Sequence, residues 1–343
     1  MTRLGQSALA VAVCLLLVGT GFAQAESRSF AFTYSVTIEP GESGEGPVDI
    51  FLPIAQDTPH QAIHEVRVAS PVPGNMGSET PYGNRYWHAR LKRLPSEPLT
   101  IEVHYRLTRH RFARSGLQES AASYDAAERQ DKALFLQGNR RVPVQGKVIR
   151  EVLADIPFQA DDPPQVQARR IYDYVIDTME YKKVGSGWGN GDTYWACSER
   201  YGNCTDYHAL FISLARAKGI PARFEIGFPV PMDREAGKIG GYHCWVEFYL
   251  PEVGWTPIDA SEADKHPEMR ELYFGTHPAN RIHFTTGRDL QLGPAQDTGP
   301  LNYFVYPLVE AGGERHDGVT TEFRYRETAT TEAAAETKGG SRS

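Results

Sequence analysis

The stretch Tyr201-Gly202-Asn203-Cys204-Thr205-Asp206-Tyr207-His208-Ala209-Leu210-Phe211 decides how the rest of the chain is read. Tyr207, Leu210, Phe211, Leu214 and Ala215 recur at helical spacing and form one apolar face. Gly219-Ile220-Pro221 stops the helix. Asn203 is a favoured cap residue, so Cys204 falls at the first helical position. There the unpaired amides and the helix dipole favour an anion. The reactive form of cysteine is the thiolate, so this position suits a thiol that must react.

Whether that thiol is free depends on the compartment. Arg3 is followed by the apolar run ALAVAVCLLLVGTGF and then Ala23-Gln24-Ala25, the pattern of a secretory signal peptide over residues 1–25 cleaved before Glu26. Val13 before Cys14 argues against a lipoprotein attachment site, and a retained anchor is the bland alternative. The expected location is periplasmic or secreted, with no membrane span after cleavage. Three cysteines then remain, Cys197, Cys204 and Cys244, so at least one is unpaired or bonds another chain. A free thiol in an oxidising compartment is a liability unless it has work to do. A net charge of −7 argues against a nucleic-acid partner.

Upstream, Phe30 to Ile38 and Leu99 to Leu107 alternate apolar and polar residues, the period of half-buried strands. Shorter strand candidates lie at Val48 to Leu52, His64 to Val68 and Arg85 to Leu91. Together they suggest an N-terminal β-sandwich over 26–135 whose His and Arg residues lie on solvated faces. A linker is expected over 136–160. Asp162 reads as the N-cap of a helix carrying Ile171, Tyr174, Val175, Thr178 and Met179 on one side. Residues 185–192, GSGWGNGD, are no phosphate loop, because the GxxxxGK[ST] pattern is missing; they read as a flexible loop bearing Trp188 beside the site. Residues 326–343 read as a disordered tail.

A thiolate needs a base. His243 opens the strand-like run His243 to Leu250, and Trp255 to Ile258 returns after a turn. A hairpin with three residues in its loop places His243 opposite Asp259, both side chains on one face, so that the carboxylate fixes and charges the imidazole.

The motifs Gly202-Asn203-Cys204-Thr205-Asp206, Ala217-Lys218-Gly219-Ile220-Pro221-Ala222-Arg223, His243-x-Trp245-Val246-Glu247, Gly254-Trp255 and Asp259-Ala260-Ser261 resemble the transglutaminase-like (papain-like cysteine) superfamily. More narrowly, they resemble exported bacterial proteins with such a domain. The resemblance covers about residues 160 to 290. It implies an α+β fold: a cysteine-bearing helix on an antiparallel sheet, here a catalytic domain over 161–310. It also implies Cys204 as nucleophile, His243 as general base and acid, and Asp259 as orienting group, with no cofactor and no metal. Asp259-Ala260-Ser261 departs slightly from the commoner Asp-Pro-Thr. The implied activity is cysteine-dependent acyl transfer through a thioester, as an amidase, protease (hydrolase) or transglutaminase acting on peptide or protein amides, cell-wall peptides among them. The alternative is a catalytically silent binding or adaptor protein of the cell envelope. One oxyanion donor would be the Cys204 amide; Trp188, Tyr194 and Trp195 lie where a second could arise. Cys197, Cys204, His208 and His243 lack the CxxC or HxxxH spacing of a zinc site. Alternation along the strand turns Cys244 away from His243 and so away from the catalytic side. A Cys197–Cys244 disulfide and a blocking Cys197–Cys204 bond stay open.

Overall fold

The computed structural model describes residues 26–41, 46–117 and 122–329. The signal peptide expected over 1–25 lies outside them, as do residues 330–343 of the expected tail. No helix among the described residues is long and apolar enough to cross a membrane.

The alternation seen in sequence builds β1 (Ser27–Ile38), whose Phe30, Phe32, Tyr34, Val36 and Ile38 point inward and are almost fully buried. Next come β2 (Val48–Ile54), β3 (Gln61–Ala69), β4 (Asn75–Ser78), β5 (Arg85–Leu91), β6 (Leu99–His110) and the short β7 (Phe112–Ala113). Strand β6 repeats the pattern with Ile101, Val103, Tyr105 and Leu107. Helices α1 (Ala126–Asp131), α2 (Lys147–Asp155) and α3 (Pro164–Thr178) lead to β8 (Glu180–Tyr181). The short α4 (Thr193–Glu199) and β9 (Tyr201–Gly202) precede α5 (Cys204–Ala217). Then follow β10 (Ala222–Pro229), β11 (Ala236–Ile239), β12 (His243–Leu250), β13 (Gly254–Ile258), α6 (Ala260–Lys265), β14 (Thr276–His277) and β15 (Arg281–Thr286). The chain closes with β16 (Leu308–Ala311), β17 (Glu314–Arg315) and β18 (Val319–Thr328).

Two five-stranded antiparallel sheets form the sandwich, in the orders β11-β18-β1-β6-β3 and β17-β16-β2-β5-β4. Both need the C-terminal strands, so the sandwich is not confined to 26–135: β18 pairs along β1 from Ser29↔Thr328 to Ile38↔Val319. Residues 326–328, read from sequence as the start of the tail, are therefore strand. The sequence offered little warning, because β18 carries only Phe323 and Tyr325 as large inward residues among Thr, Glu and Arg. The stretch expected as a linker contains α2, which buries Ile149 and Val152. Strand β2 is buried along its whole length because Leu290, Leu292, Phe304 and Leu308 cover Phe51 on its second face.

A four-stranded antiparallel sheet, β13-β12-β10-β15, carries the other half of the molecule. It joins the sandwich through aromatic rings: Phe228 lies 5.6 Å from Phe32 and 4.2 Å from Phe323, and Phe284 lies 5.8 Å from Tyr34. Against the sheet packs α5. Every residue from Cys204 to Arg216 is buried, because α3, α4 and α6 cover the sides that the sheet leaves open. The cap of α3 is Pro163 rather than Asp162, whose carboxylate instead binds the Gln159 amide and Arg170. Nor are all the arginines of the sandwich solvated: Arg28 and Arg109 are each 2% exposed.

Candidate active site

Cys204 is the first residue of α5, and Asn203 caps it. The Asn203 Oδ1 accepts from the Thr205 amide at 2.9 Å, while Asp206 completes a capping box by accepting from the Asn203 amide at 3.0 Å. The same Asp206 carboxylate accepts from Gly189 N at 2.7 Å and Gly191 N at 2.9 Å. One buried side chain thus fixes both the helix bearing Cys204 and the glycine-rich segment 185–192. That segment is held rather than loose: Arg288 also donates to the carbonyls of Asn190 and Gly191. Gly187, Gly189 and Gly191 all have positive φ (107°, 83° and 58°), which is why glycine recurs there.

The β12–β13 hairpin has the expected three-residue loop, Pro251 to Val253, but its register runs two residues from the expected one: Leu250 pairs with Gly254 and Val246 with Ile258. His243 is not directly opposite Asp259. An odd loop preserves which face each side chain takes, so the two still meet diagonally, with His243 Nε2 2.6 Å from Asp259 Oδ2. Asp259 is also the N-cap of α6. Its Oδ1 accepts from Glu262 N and Ser261 Oγ, both at 3.0 Å. Its Oδ2 is shared by His243 and by Arg281 Nη1 at 3.1 Å. Each carboxylate oxygen thus has two donors.

Cys204, His243 and Asp259 are 2%, 6% and 0% exposed, so their charges meet little solvent. Burial works against the Asp259 carboxylate, but His243, His208 and Arg281 outweigh it and hold the acid well below the usual range. Burial likewise works against the His243 imidazolium; the charge and hydrogen bond of Asp259, with a hydrogen bond to Cys204, push it up to about 9. Burial pushes the Cys204 thiol up, yet hydrogen bonds from Cys244 and His243 and the charge on His243 and His208 bring it well below its ordinary value. With Nε2 occupied by Asp259, Nδ1 is the His243 nitrogen left to face sulfur. The three residues expected from sequence are therefore brought together as a thiol–imidazole–carboxylate chain.

Cys244 does not point away from this centre. Its alternation is as expected, but α5 packs over the very face it occupies, so its thiol hydrogen-bonds Cys204 and lies 3.4 Å from His208 Nδ1. All three cysteines are free thiols, and neither open disulfide forms. His208 Nε2 sits 3.5 Å from Asp259 Oδ1, close enough for charge to act though no hydrogen bond forms. Sequence reading missed Cys244, Arg281 and the clamp made by Asp206. Only Asp206 left a signal, as an acid three residues after a capping Asn. Of the suggested second oxyanion donors, Trp188 and Trp195 give their indole N–H groups to the carbonyls of Gly185 and Tyr201, both at 3.1 Å. Tyr194 lies half in solvent.

A helix-borne cysteine set against an antiparallel sheet that supplies histidine and aspartate defines the papain-like class of thiol folds. Residues 153–260 match the transglutaminase-like superfamily. An uncharacterized protein of Haemophilus influenzae is 25% identical over 336 residues, 85% of this chain and 88% of its own. A protein-glutamine gamma-glutamyltransferase of Pseudomonas aeruginosa is 28% identical over 132 residues, 35% of this chain but 19% of that enzyme. The crystal structure of a candidate cysteine protease from Cytophaga hutchinsonii shares the fold with a TM-score of 0.61 at 15% identity, covering 89% of this chain and 92% of its own.

Proposed function

We propose that the protein is an exported, periplasmic or secreted cysteine-dependent acyl-transfer enzyme acting on peptide or protein amides. Cys204 is the nucleophile, His243 the general base and acid, and Asp259 the orienting group. The observation that carries this reading is the hydrogen-bonded chain from Asp259 through His243 to a thiol at a helix N-terminus.

The Cys204 sulfur attacks an amide carbonyl, forming a C–S bond as the carbonyl π pair moves onto oxygen. The Cys204 amide, which has no acceptor among the described residues, donates to that oxyanion. His243 passes its proton to the nitrogen, the C–N bond breaks, and the amine leaves with a thioester remaining. His243, now neutral, takes a proton from the incoming nucleophile. Water as that nucleophile completes hydrolysis; an amine completes cross-linking. Asp259 keeps the imidazole oriented and stabilises its charged form without itself changing protonation.

The test compares wild type with Cys204→Ala on cell-envelope extract, reading released ammonia and peptides by mass spectrometry. Release by wild type alone is expected. Equal output from the two would refute the assignment and leave the adaptor reading.

A further inference from the structure

On the side of the catalytic sheet away from Cys204 lies a cavity of about 280 Å³, walled by β10, β12, β13 and β15 and by sandwich residues. That is room for a small organic molecule, not merely for a single buried water. Acids and bases both line it, and nearly all are matched. Arg223 binds Glu225 Oε1 at 2.8 Å and Glu247 Oε2 at 2.6 Å. Glu225 Oε2 also accepts from His283 Nε2 at 2.5 Å and Thr286 Oγ1 at 2.6 Å.

Arg114 gives its Nε to the Trp255 carbonyl at 2.9 Å and Asp57 accepts from the Ile63 amide at 2.7 Å, whereas the Arg109 side chain, at the end of β6, has no hydrogen-bond partner among the described residues. It lines the cavity and is 2% exposed. No hydrogen bond or ion pair to its guanidinium occurs among the described residues, and its Nε is a buried donor with no acceptor. Burial, then Arg281, draw its pKa down to about 10 against the opposing charges of Glu247 and Glu225, so it remains a cation at neutral pH. The field it creates is visible on His60, another wall residue: burial first, then Arg109 and Arg114, push that imidazole down to about 4. An unpaired buried cation is costly to a fold. The rest of the wall mixes polar residues, Gln56, Asp57 and Thr58 among them, with the aromatic rings of Trp245 and Trp255.

We propose that this cavity binds a small organic anion, its carboxylate taken by the fork of Arg109 and its apolar body laid against Trp245 and Trp255. Arg is suited to the task because its planar donors match a carboxylate in pairs. The site is separate from the thiol, yet the Trp245 ring lies 6.3 Å from the His243 ring on the same strand.

Isothermal titration of the folded protein with 3-phenylpropionate tests this, with 3-phenylpropionamide and inorganic phosphate as comparison probes. Saturable binding of the carboxylate is expected, equal in wild type and Cys204→Ala, so the result stands apart from the fate of the proposed chemistry. The neutral amide should bind about tenfold to a hundredfold more weakly, the usual worth of a charge-assisted hydrogen bond. Arg109→Met should abolish carboxylate binding, and Arg109→Lys should retain part of it. Because Arg109→Met removes an unmatched charge, its ligand-free melting temperature should equal or exceed that of wild type. Phosphate binding as tightly as phenylpropionate, unchanged binding in Arg109→Met, or a marked fall in that variant's melting temperature would each overturn the proposal.

Discussion

Replacing Asp259 by asparagine changes one charge and almost no volume. In the native site the carboxylate lifts the His243 pKa from 6.5 to about 9 against the opposing effect of burial. At roughly 1.4 kcal/mol per unit, that difference is worth about 3 kcal/mol. An amide at 259 can keep its oxygen at the Oδ1 position, where it still accepts from Glu262 N and Ser261 Oγ, so the cap of α6 survives. Its NH₂ group then faces Arg281 and His243 Nε2, where acceptors are needed. Burial acts unopposed on the imidazole, which titrates at or below its ordinary value, and the Cys204 thiolate loses its charged partner. The expected result is about a hundredfold slower alkylation of Cys204 near pH 7, the equivalent of that ~3 kcal/mol. The assay is iodoacetamide labelling from pH 5 to 10, with the Cys204 peptide quantified by mass spectrometry. Wild type should react well below the range of a free thiol, whereas Asp259→Asn should gain rate only as the pH approaches that range. Superimposed profiles between pH 6 and 8 would show that Asp259 does not charge the pair.

The same shift has a consequence for stability, with a definite sign. His243 is raised on folding, so its contribution is complete below 6.5 and is lost as pH rises through about 9. Cys204 is lowered on folding, so its contribution is complete above the ordinary thiol value and is lost as pH falls through the native one. Across the interval from 6.5 to about 9 the two slopes oppose each other. The native pair holds its proton on nitrogen and the unfolded pair holds it on sulfur, so the proton count is the same.

Asp206→Ala removes the acceptor of Gly189 N, Gly191 N and Asn203 N together; limited proteolysis should then cut within residues 185–192 where wild type resists, and alkylation of Cys204 should slow. Phe228→Ala deletes a fully buried ring between the catalytic sheet and the sandwich and should destabilise the fold by about 3–5 kcal/mol in denaturant titration.

How much of this was legible in the sequence depends on how local each feature is. The start of α5 was readable because Asn203, Cys204 and the apolar spacing lie within a few residues of one another. The meeting of His243 and Asp259 survived a register error of two because an odd loop fixes the face of a side chain, while its exact partner depends on where the turn begins. Cys244 shows the limit of such reasoning. Alternation gives its face relative to His243, but which face meets α5 is a tertiary fact that the strand does not contain. The C-terminal strands were missed for a similar reason: β18 pairs with β1 across nearly the whole chain, and its run of Thr, Glu and Arg carries little apolar signal. Alternation puts Arg109 on the inward face of β6 with Ile101, Val103, Tyr105 and Leu107, but a charged residue at a strand end gives no sign that it is enclosed.

Two places along β12 handle buried charge differently, and the difference bears on what each can do. At Asp259, both carboxylate oxygens are saturated by donors from α6, His243 and Arg281. A site that must hold one proton arrangement through a reaction needs its dipoles fixed beforehand, because any reorganisation adds to the barrier. Beside Trp245, by contrast, Glu225 and Glu247 are consumed by Arg223 and His283, and the Arg109 cation is left over. A surplus buried charge weakens the empty protein but gives an incoming counter-ion its full effect, since no internal partner must first be displaced. Saturation suits the proposed reaction centre, and a cation without a hydrogen-bond partner suits the proposed anion site.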